Sequence, residues 1–315
     1  MKRRGFSALE MLVTITIISI LMSLLLSALV KVMALGKITQ AKAEIAQLSI
    51  TSGMWRDKML TNPEFWGGGP NGEFRLCSNY LDQNGNPIKD ASTGLPWPEI
   101  TFLKRVWPMI SLADNGLRSS GLADNSIVLP SNPILLDCNQ AAMFWFTGLN
   151  YTSYQGFSTN PNQPFQPYPP GGGIPRVGPW MQLQKSRITD PVTKIIDNRY
   201  RDPYGTPYCF MGYDQSLKSY PSPSLVPNVS PYFILMGNVK WTPGNNGQRF
   251  PISPYMYDSS YSPTSICYST TGVQVICAGP NMQFGTGGLL LLGNGGEVGF
   301  DDLSNFQMGN LGSPE

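Results

Sequence analysis

The sequence predicts an α+β fold, in which one long N-terminal helix, half of it embedded in a membrane, packs on an antiparallel β-sheet with a large loop-rich insertion. Three observations lead to this prediction. Residues 11–30 carry no formal charge, and helical apolar spacing continues beyond them. The chain is also rich in Gly (33) and Pro (28), and only 13% of its residues are charged. This composition is typical of turn-rich, β-containing structure rather than of a helical bundle.

The composition also excludes several classes of function. None of the 315 residues is histidine, which excludes Ser-His-Asp, Cys-His and His-zinc sites. The paired CxxC spacing of a four-cysteine metal site is missing as well. The net charge of +2 reflects Lys2, Arg3 and Arg4, and no basic stripe interleaved with aromatic residues follows them. We therefore expect no covalent catalysis, and we do not expect the protein to be an enzyme. We also expect no nucleic-acid partner.

The N-terminal apolar segment has the length of a membrane span. A helix of about 20 residues rises about 30 Å, which is the thickness of the hydrocarbon core. We therefore expect residues 6–30 to form a transmembrane helix. The basic residues ahead of it place the N-terminus in the cytoplasm and the rest of the chain outside, by the positive-inside rule. A plain signal anchor and a cleaved secretory signal are the alternatives.

Glu10 interrupts the start of this segment, where an unpaired carboxylate is costly and its presence usually signals a partner. Cleavage between Gly5 and Phe6 would create a new α-amino group. Glu10 of a neighbouring copy could neutralise that amine, and the pairing would set an axial step between identical subunits.

Residues 2–13, KRRGFSALEMLV, resemble the class III leader of type IV pilins and type II secretion pseudopilins. In that family a prepilin peptidase cuts after the glycine and methylates the new N-terminal amine, and the glutamate is needed for assembly. The resemblance implies a leader peptide at residues 1–5, processing at Gly5 and Phe6, and a role in assembly for Glu10. It also implies a single-pass protein of the bacterial inner membrane with a periplasmic head. The implied partners are prepilin peptidase, an inner-membrane assembly platform, other copies of the chain and minor pseudopilins in a filament.

The helix is predicted to continue through residues 31–61 and to end at Asn62, because the residue before a proline avoids the α region. Two stripes run along this half at helical spacing. The first is apolar and contains Ala34, Ile38, Ala41, Ile45, Leu48 and Trp55. The second is weakly apolar, lies roughly opposite, and contains Thr39, Ala43, Ala46 and Ile50. We expect one stripe to face the chain's own head and the other to face neighbouring helices, the alternative being a frayed, partly buried single helix.

The middle of the chain, residues 62–190, is predicted to be a loop-rich inserted region of the head. Gly, Pro and Asn cluster at residues 67–72, 84–87 and 163–173, and such clusters are turn signals. The aromatic apolar stretch at residues 141–148 is predicted to be core.

Residues 191–315 are predicted to form the β-sheet region. Asp202, Pro203 and Gly205 occupy their favoured positions in a type I turn, and strand-like segments follow at residues 208–211 and 232–236. Residues 266–268 and 273–277 suggest a hairpin. In an exported chain this hairpin would place Cys267 opposite Cys277 as a disulfide; Cys77 with Cys138 is a second candidate pair.

Two parts of this region resemble the major pseudopilin of type II secretion. Residues 201–208 resemble the turn that introduces its sheet, and residues 278–286 with 300–306 resemble its calcium loop. The resemblance implies Ca²⁺ as a cofactor, because a hard cation takes oxygen ligands. The implied ligands are Asn281, a carbonyl near Gln283, and Asp301 or Asp302. Asn281 replaces the usual Asp and residues 287–299 are an insertion, so an Asx-rich turn that caps backbone amides is the alternative.

These observations predict a structural subunit. The chain would be a pseudopilin that is processed by prepilin peptidase and assembles into the periplasmic pseudopilus of a type II secretion system, supporting protein export. A type IV pilus pilin, which shares the leader, is one alternative. A membrane-tethered binding or adhesion protein that uses the inserted head region is another.

Overall fold

The computed structural model has a long N-terminal helix and several small sheets, which confirms the α+β class. It describes residues 8–65, 73–91, 94–117, 134–148, 156–166, 173, 175–189, 198–212, 233–235, 249–251, 255–256, 272–280, 282, 288–289 and 303–305.

Helix α1 spans Ala8–Met59 and contains 52 residues, so it is about 78 Å long at 1.5 Å per residue. Every side chain described from residue 8 to residue 37 is exposed, and burial begins at Ile38. The helix ends because Leu60 adopts a left-handed conformation, with φ 58°, and donates its N–H to the carbonyl of Arg56 at 2.7 Å. Such a residue commonly terminates a helix. The predicted end at residue 61 is therefore two residues too late.

The inserted region contains more regular structure than its sequence predicts. Its helices and strands are β1 (Phe74–Leu76), α2 (Pro98–Val106), β2 (Ile134–Leu136), α3 (Cys138–Thr147), β3 (Phe157–Ser158) and β4 (Arg176–Val177), and a short 3₁₀ helix spans Lys185–Arg187. Strands β1 and β2 form one antiparallel pair, and β3 and β4 form another. Helix α2 begins with a proline in its first turn, where the ring fits the helix and no donor is lost.

Helix α3 is short and is fixed by its N-terminal cap. Asp137 accepts a hydrogen bond from the backbone N–H of Gln140 at 2.8 Å. The Gln140 side chain accepts in return from the backbone of Asp137 at 3.2 Å. This reciprocal capping box satisfies two backbone donors. Nine of the ten α3 residues are buried, all except Gln140, so the prediction that residues 141–148 are core is confirmed.

The C-terminal region contributes seven strands among the described residues: β5 (Cys209–Gly212), β6 (Phe233–Leu235), β7 (Arg249–Pro251), β8 (Tyr255–Met256), β9 (Val273–Cys277), β10 (Gly288–Leu289) and β11 (Leu303–Ser304). Three of them form an antiparallel sheet in the order β11, β9, β5. Strands β6 and β7 pair antiparallel, whereas β8 and β10 pair parallel. The strands expected at residues 208–211, 232–236 and 273–277 are therefore confirmed.

Strand β9 is paired along both edges by described residues, whereas residues 266–268, its predicted hairpin partner, lie outside the described residues. One edge of β9 pairs with β5. The other edge pairs with β11 and with Asn305, whose side chain bonds the N–H of Val275 at 2.9 Å and the carbonyl of Val273 at 2.8 Å. Both edges of β9 are therefore occupied by β5, β11 and Asn305.

An aromatic cluster joins α1 to the inserted region. Trp55 of α1 lies 6.1 Å from Trp145 of α3 and 6.3 Å from Phe102 of α2, measured between ring centroids. Trp145 in turn meets Phe74 of β1 edge to face at 5.2 Å, a geometry that aromatic quadrupoles favour. All four side chains are fully buried. The inserted region is therefore part of the core that holds the helix.

Candidate functional site

Of the three site residues predicted in the N-terminal segment, the structure describes Glu10. Glu10 lies in the first turn of α1 and is exposed, while Gly5 and Phe6 lie outside the described residues. The predicted calcium ligands Asn281, Gln283, Asp301 and Asp302 also lie outside them, so the calcium site stays a prediction. Among the residues that are described, no group of three or more His, Cys, Asp or Glu side chains is arranged to hold a metal ion.

The N-terminal part of α1 is long and apolar enough to span a membrane, and the head covers none of it. Its hydroxyl groups find acceptors within the helix. Thr16 donates to the carbonyl of Leu12 at 2.8 Å, and Ser19 donates to that of Ile15 at 2.8 Å. Polar groups satisfied in this way avoid the cost of an unpaired donor in hydrocarbon.

The two stripes of the second half of α1 have different environments. In the first stripe Ala41, Ile45, Leu48 and Trp55 are buried against the head. Its first member, Ala34, is exposed. The expectation that one stripe faces the chain's own head is therefore confirmed from Ile38 onward. The second stripe, Thr39, Ala43, Ala46 and Ile50, is exposed, and its contact with neighbouring helices stays a prediction.

A buried polar junction fastens α1 to the sheet region, and we call its three residues, Glu44, Arg187 and Tyr208, the Glu44 junction. The Tyr208 hydroxyl donates to Oε2 of Glu44 at 2.8 Å, and Nη2 of Arg187 donates to the same oxygen. The Glu44 and Arg187 side chains are only 13% and 15% exposed. Burial raises the pKa of Tyr208 strongly, and the nearby Cys277 and Glu44 raise it further. Tyr208 therefore stays protonated and can donate at neutral pH.

Further contacts hold the head at other levels of α1. Asn305, which follows β11, donates to the hydroxyl of Ser49 at 3.3 Å. Nearer the N-terminus, the ammonium group of Lys37 lies 5.3 Å from the ring centroid of Tyr204, within the range of a cation–π contact. The head is thus attached along α1 from Lys37 to Trp55.

The predicted turn at Asp202 is present and its carboxylate is buried. Oδ1 accepts from the N–H groups of Tyr204 at 2.8 Å and Thr206 at 2.9 Å, and the N–H of Gly205 closes the turn on the Asp202 carbonyl at 3.1 Å. The thiol of Cys277 donates to Oδ2 at 3.1 Å. Burial raises the pKa of Asp202 to about 6, although these hydrogen bonds act in the opposite direction.

The cysteines differ from the disulfide predictions. Cys277 is a buried thiol bonded to Asp202, and Cys267 lies outside the described residues. The first strand of the predicted hairpin, residues 266–268, also lies outside the described residues, while β5 and β11 occupy the two edges of β9. Cys77 and Cys138 are also thiols. They follow β1 and β2, which run antiparallel with Leu76 opposite Ile134, so the two cysteines extend from opposite ends of the ladder.

The sequence reasoning did not identify the Glu44 junction, although α1 carries a signal for one part of it. Ala41, Glu44, Ile45 and Leu48 follow the spacing of one helical face, so a carboxylate lies beside buried apolar residues and needs a partner. No comparable local signal exists for Arg187, which is 143 residues away.

Comparisons with known proteins find no family model, no curated protein and no solved structure that matches this chain. The geometry defines a chain in which one helix carries an uncovered, membrane-length apolar part and, beyond it, a head packed along one face.

Proposed function

We propose that the chain is a structural subunit of the pseudopilin type, stored in the bacterial inner membrane and added to the periplasmic pseudopilus of a type II secretion system. Its partners are other copies of the chain, minor pseudopilins, prepilin peptidase and the inner-membrane assembly platform. The pilin-like leader at residues 1–5 supports this proposal from the sequence.

The division of α1 into two parts is the observation that carries the proposal. The apolar side chains from Leu9 to Leu35 are 48–73% exposed, and burying such a side chain is worth about 1.5–3 kcal/mol. While the subunit is in the membrane, these apolar side chains need to be surrounded by lipid. If the subunit leaves the membrane, they need equivalent apolar neighbours, and α1 of adjacent copies supplies surfaces of the same composition.

Glu10 fits a role in this transfer. A carboxylate at the edge of an apolar segment is costly unless it is paired. In the assembled filament the pairing partner would be the amine of Phe6 in a neighbouring copy, formed by cleavage after Gly5. That pairing places each new subunit at a defined axial position.

The orientation in the membrane rests on the family resemblance. Lys2, Arg3 and Arg4 precede the apolar segment, but Lys31, Lys37 and Lys42 follow it. The positive-inside expectation considered only the residues ahead of the segment, and the count at both ends gives no clear bias. The resemblance of the leader to that family, which implies a periplasmic head, favours a cytoplasmic N-terminus.

The test is to express the full chain with a prepilin peptidase and to determine its N-terminus by mass spectrometry. We expect a mature chain that starts at methylated Phe6, and we expect Gly5→Ala to abolish this processing. Gly36→Ala is the matched control, because it replaces a helical glycine around which there is open space. A wild-type chain that keeps residues 1–5 would overturn the proposal and favour a membrane-tethered binding protein.

A second experiment separates processing from assembly. In a host with the assembly platform, Glu10→Gln should be cleaved and methylated normally but should fail to enter filaments. Filaments confined to the periplasm would indicate a pseudopilus, whereas long surface filaments would favour the type IV pilin alternative. Normal assembly of the Glu10→Gln chain would contradict the role given to Glu10.

A further inference from the structure

The contacts along α1 define which end of the head lies nearest the membrane. Trp55 meets the aromatic cluster, Ser49 meets Asn305, Glu44 meets Tyr208, and Lys37 meets Tyr204. Each residue of α1 advances the axis by about 1.5 Å, so the Tyr204 level lies about 27 Å nearer the apolar segment than the Trp55 level. Among the described residues of the head that contact α1 in this way, the turn at residues 202–205 therefore lies nearest the apolar segment.

The apolar surface of α1 continues almost to this turn. Val32, Met33 and Leu35 are 65%, 60% and 63% exposed, and they lie beyond the 20 residues that a span requires. A tilted helix accommodates a longer apolar stretch in the hydrocarbon. Insertion as far as Leu35 places Lys37 about 3 Å beyond the apolar surface along the helix axis.

The residues at this level have the chemistry of a membrane interface. Tyr204 is half-buried, with its hydroxyl oxygen withdrawn from solvent, and its ring packs against the Lys37 ammonium group, so Lys37 lies beside the turn. Lys31 and Lys37 are exposed, and a lysine stem can follow apolar surface while its ammonium group reaches the phosphates. Residues 31–43 of α1 include no acidic residue, and the carboxylate of Asp202 is buried within the turn.

We infer that, in the membrane-anchored subunit, the head rests on the membrane surface through the turn at residues 202–205, with Lys31 and Lys37 bound to the phosphate groups of anionic lipids. The inference rests on the membrane anchoring in the proposed function, but it does not require filament assembly. The contact holds the head upright on its helix before assembly, and it has to be broken when the subunit leaves the bilayer.

The first test measures depth in the full chain reconstituted into nanodiscs with phosphatidylglycerol. A nitroxide is attached at Pro203→Cys in the turn or, as the matched control, at Thr101→Cys on the exposed face of α2. The unsubstituted chain, treated in the same way, reports background labelling. We expect the Pro203 label to have a higher collision rate with oxygen than the Thr101 label has. We also expect it to have a lower collision rate with a water-soluble nickel complex.

The outcomes of this test are distinct. A chain that does not enter the bilayer overturns both the anchoring and this inference. A chain that is inserted, but whose Pro203 label is as open to water as the Thr101 label, overturns this inference alone. Thermal unfolding followed by tryptophan fluorescence checks that each labelled chain is folded.

The second test needs no change in the turn. Spin-labelled phosphatidylglycerol and phosphatidylcholine compete for the lipid shell around the full chain, and their relative association is measured. Lys31→Gln and Lys37→Gln should each lower the preference for the anionic lipid by about fivefold at low salt, whereas Lys104→Gln on α2 should leave it unchanged. Equal preference in all three variants and the parent chain would contradict lipid binding by these lysines.

Discussion

The hydroxyl of Tyr208 donates to Oε2 of Glu44 at 2.8 Å, joining two residues that are 164 positions apart. Arg187 donates to the same carboxylate oxygen, so one side chain of α1 receives hydrogen bonds from two separate segments of the head. Because these side chains are largely withdrawn from water, the Glu44 junction sets how the head is fixed to the helix.

Neutralising Glu44 should destabilise the head. Glu44→Gln retains an oxygen that can accept from Tyr208 but leaves the charge of Arg187 without its counter-ion. Breaking a buried ion pair costs about 3–5 kcal/mol, and we expect about 2–3 kcal/mol here because both side chains keep some contact with water. The measurement is urea unfolding of the full chain in detergent, followed by tryptophan fluorescence.

Asp57→Asn is the control for this prediction. Asp57 lies 3.7 Å from Arg56, and the side chains in this pair are 77% and 37% exposed, so its loss should cost less than about 1 kcal/mol. Equal destabilisation by the two substitutions would show that the Glu44 junction contributes no more than a surface pair.

The two stripes of α1 should respond differently to truncation. Leu48 is fully buried and Ile50 is 64% exposed, although only two positions separate them. Leu48→Ala should cost about 2–5 kcal/mol through lost burial and a cavity, whereas Ile50→Ala should change the free energy of unfolding by no more than about 0.5 kcal/mol. The same unfolding experiment compares them. In an assembly assay we expect Ile50→Ala to reduce filament formation, and normal filaments would argue against a helix contact at this stripe.

A side chain at Gly148 should disrupt the inserted region. Its φ is 78°, and a Cβ atom there would lie 2.4 Å from the backbone carbonyl oxygen of Gly156. Gly85 has nearly the same φ, 77°, but a Cβ there would meet nothing within 4 Å. Gly85→Ala should therefore cost only the conformational strain of about 1–2 kcal/mol, and Gly148→Ala should cost at least about 3 kcal/mol. Differential scanning calorimetry of both variants tests the comparison, and similar unfolding temperatures would refute the crowding.

The buried carboxyl of Asp202 should make stability depend on pH. Its pKa of about 6 in the folded chain exceeds the ordinary value of 3.8, so the folded state retains a proton that the unfolded state has released. The resulting stabilisation is fully present below pH 3.8 and is lost as the pH rises through about 6, with a total of at most about 3 kcal/mol.

The measurement is the urea midpoint between pH 4 and pH 7.5 for the parent chain and for Asp202→Asn. The amide introduced by this substitution would keep an oxygen for the N–H groups of Tyr204 and Thr206 but would not titrate. We expect the difference in stability between the two chains to change between about pH 4 and pH 6 and to level off above about pH 6. A constant difference across the range would show that Asp202 does not titrate there.

Features encoded within a short window of sequence were predicted well. The uncovered apolar part of α1, the stripe from Ala41 to Trp55 and the turn at Asp202 all depend on composition, spacing and turn chemistry within a few residues. The strand β9 was identified for the same reason, from its run of β-branched residues. Its neighbours β5 and β11 were not predicted, because the residues of a strand do not indicate which strands pair with its two edges.

The sequence by itself determined that this chain has one membrane-length apolar helix and a turn-rich head with an aromatic interior. Only the tertiary structure decided that α2 and α3 close the core around Trp55, that β5 and β11 flank β9, and that Arg187 and Tyr208 converge on Glu44. The physical reason is distance along the chain. Helix periodicity and turns are stabilised by neighbours in sequence, whereas pairings between segments that are distant in sequence are chosen by the packing of the whole head.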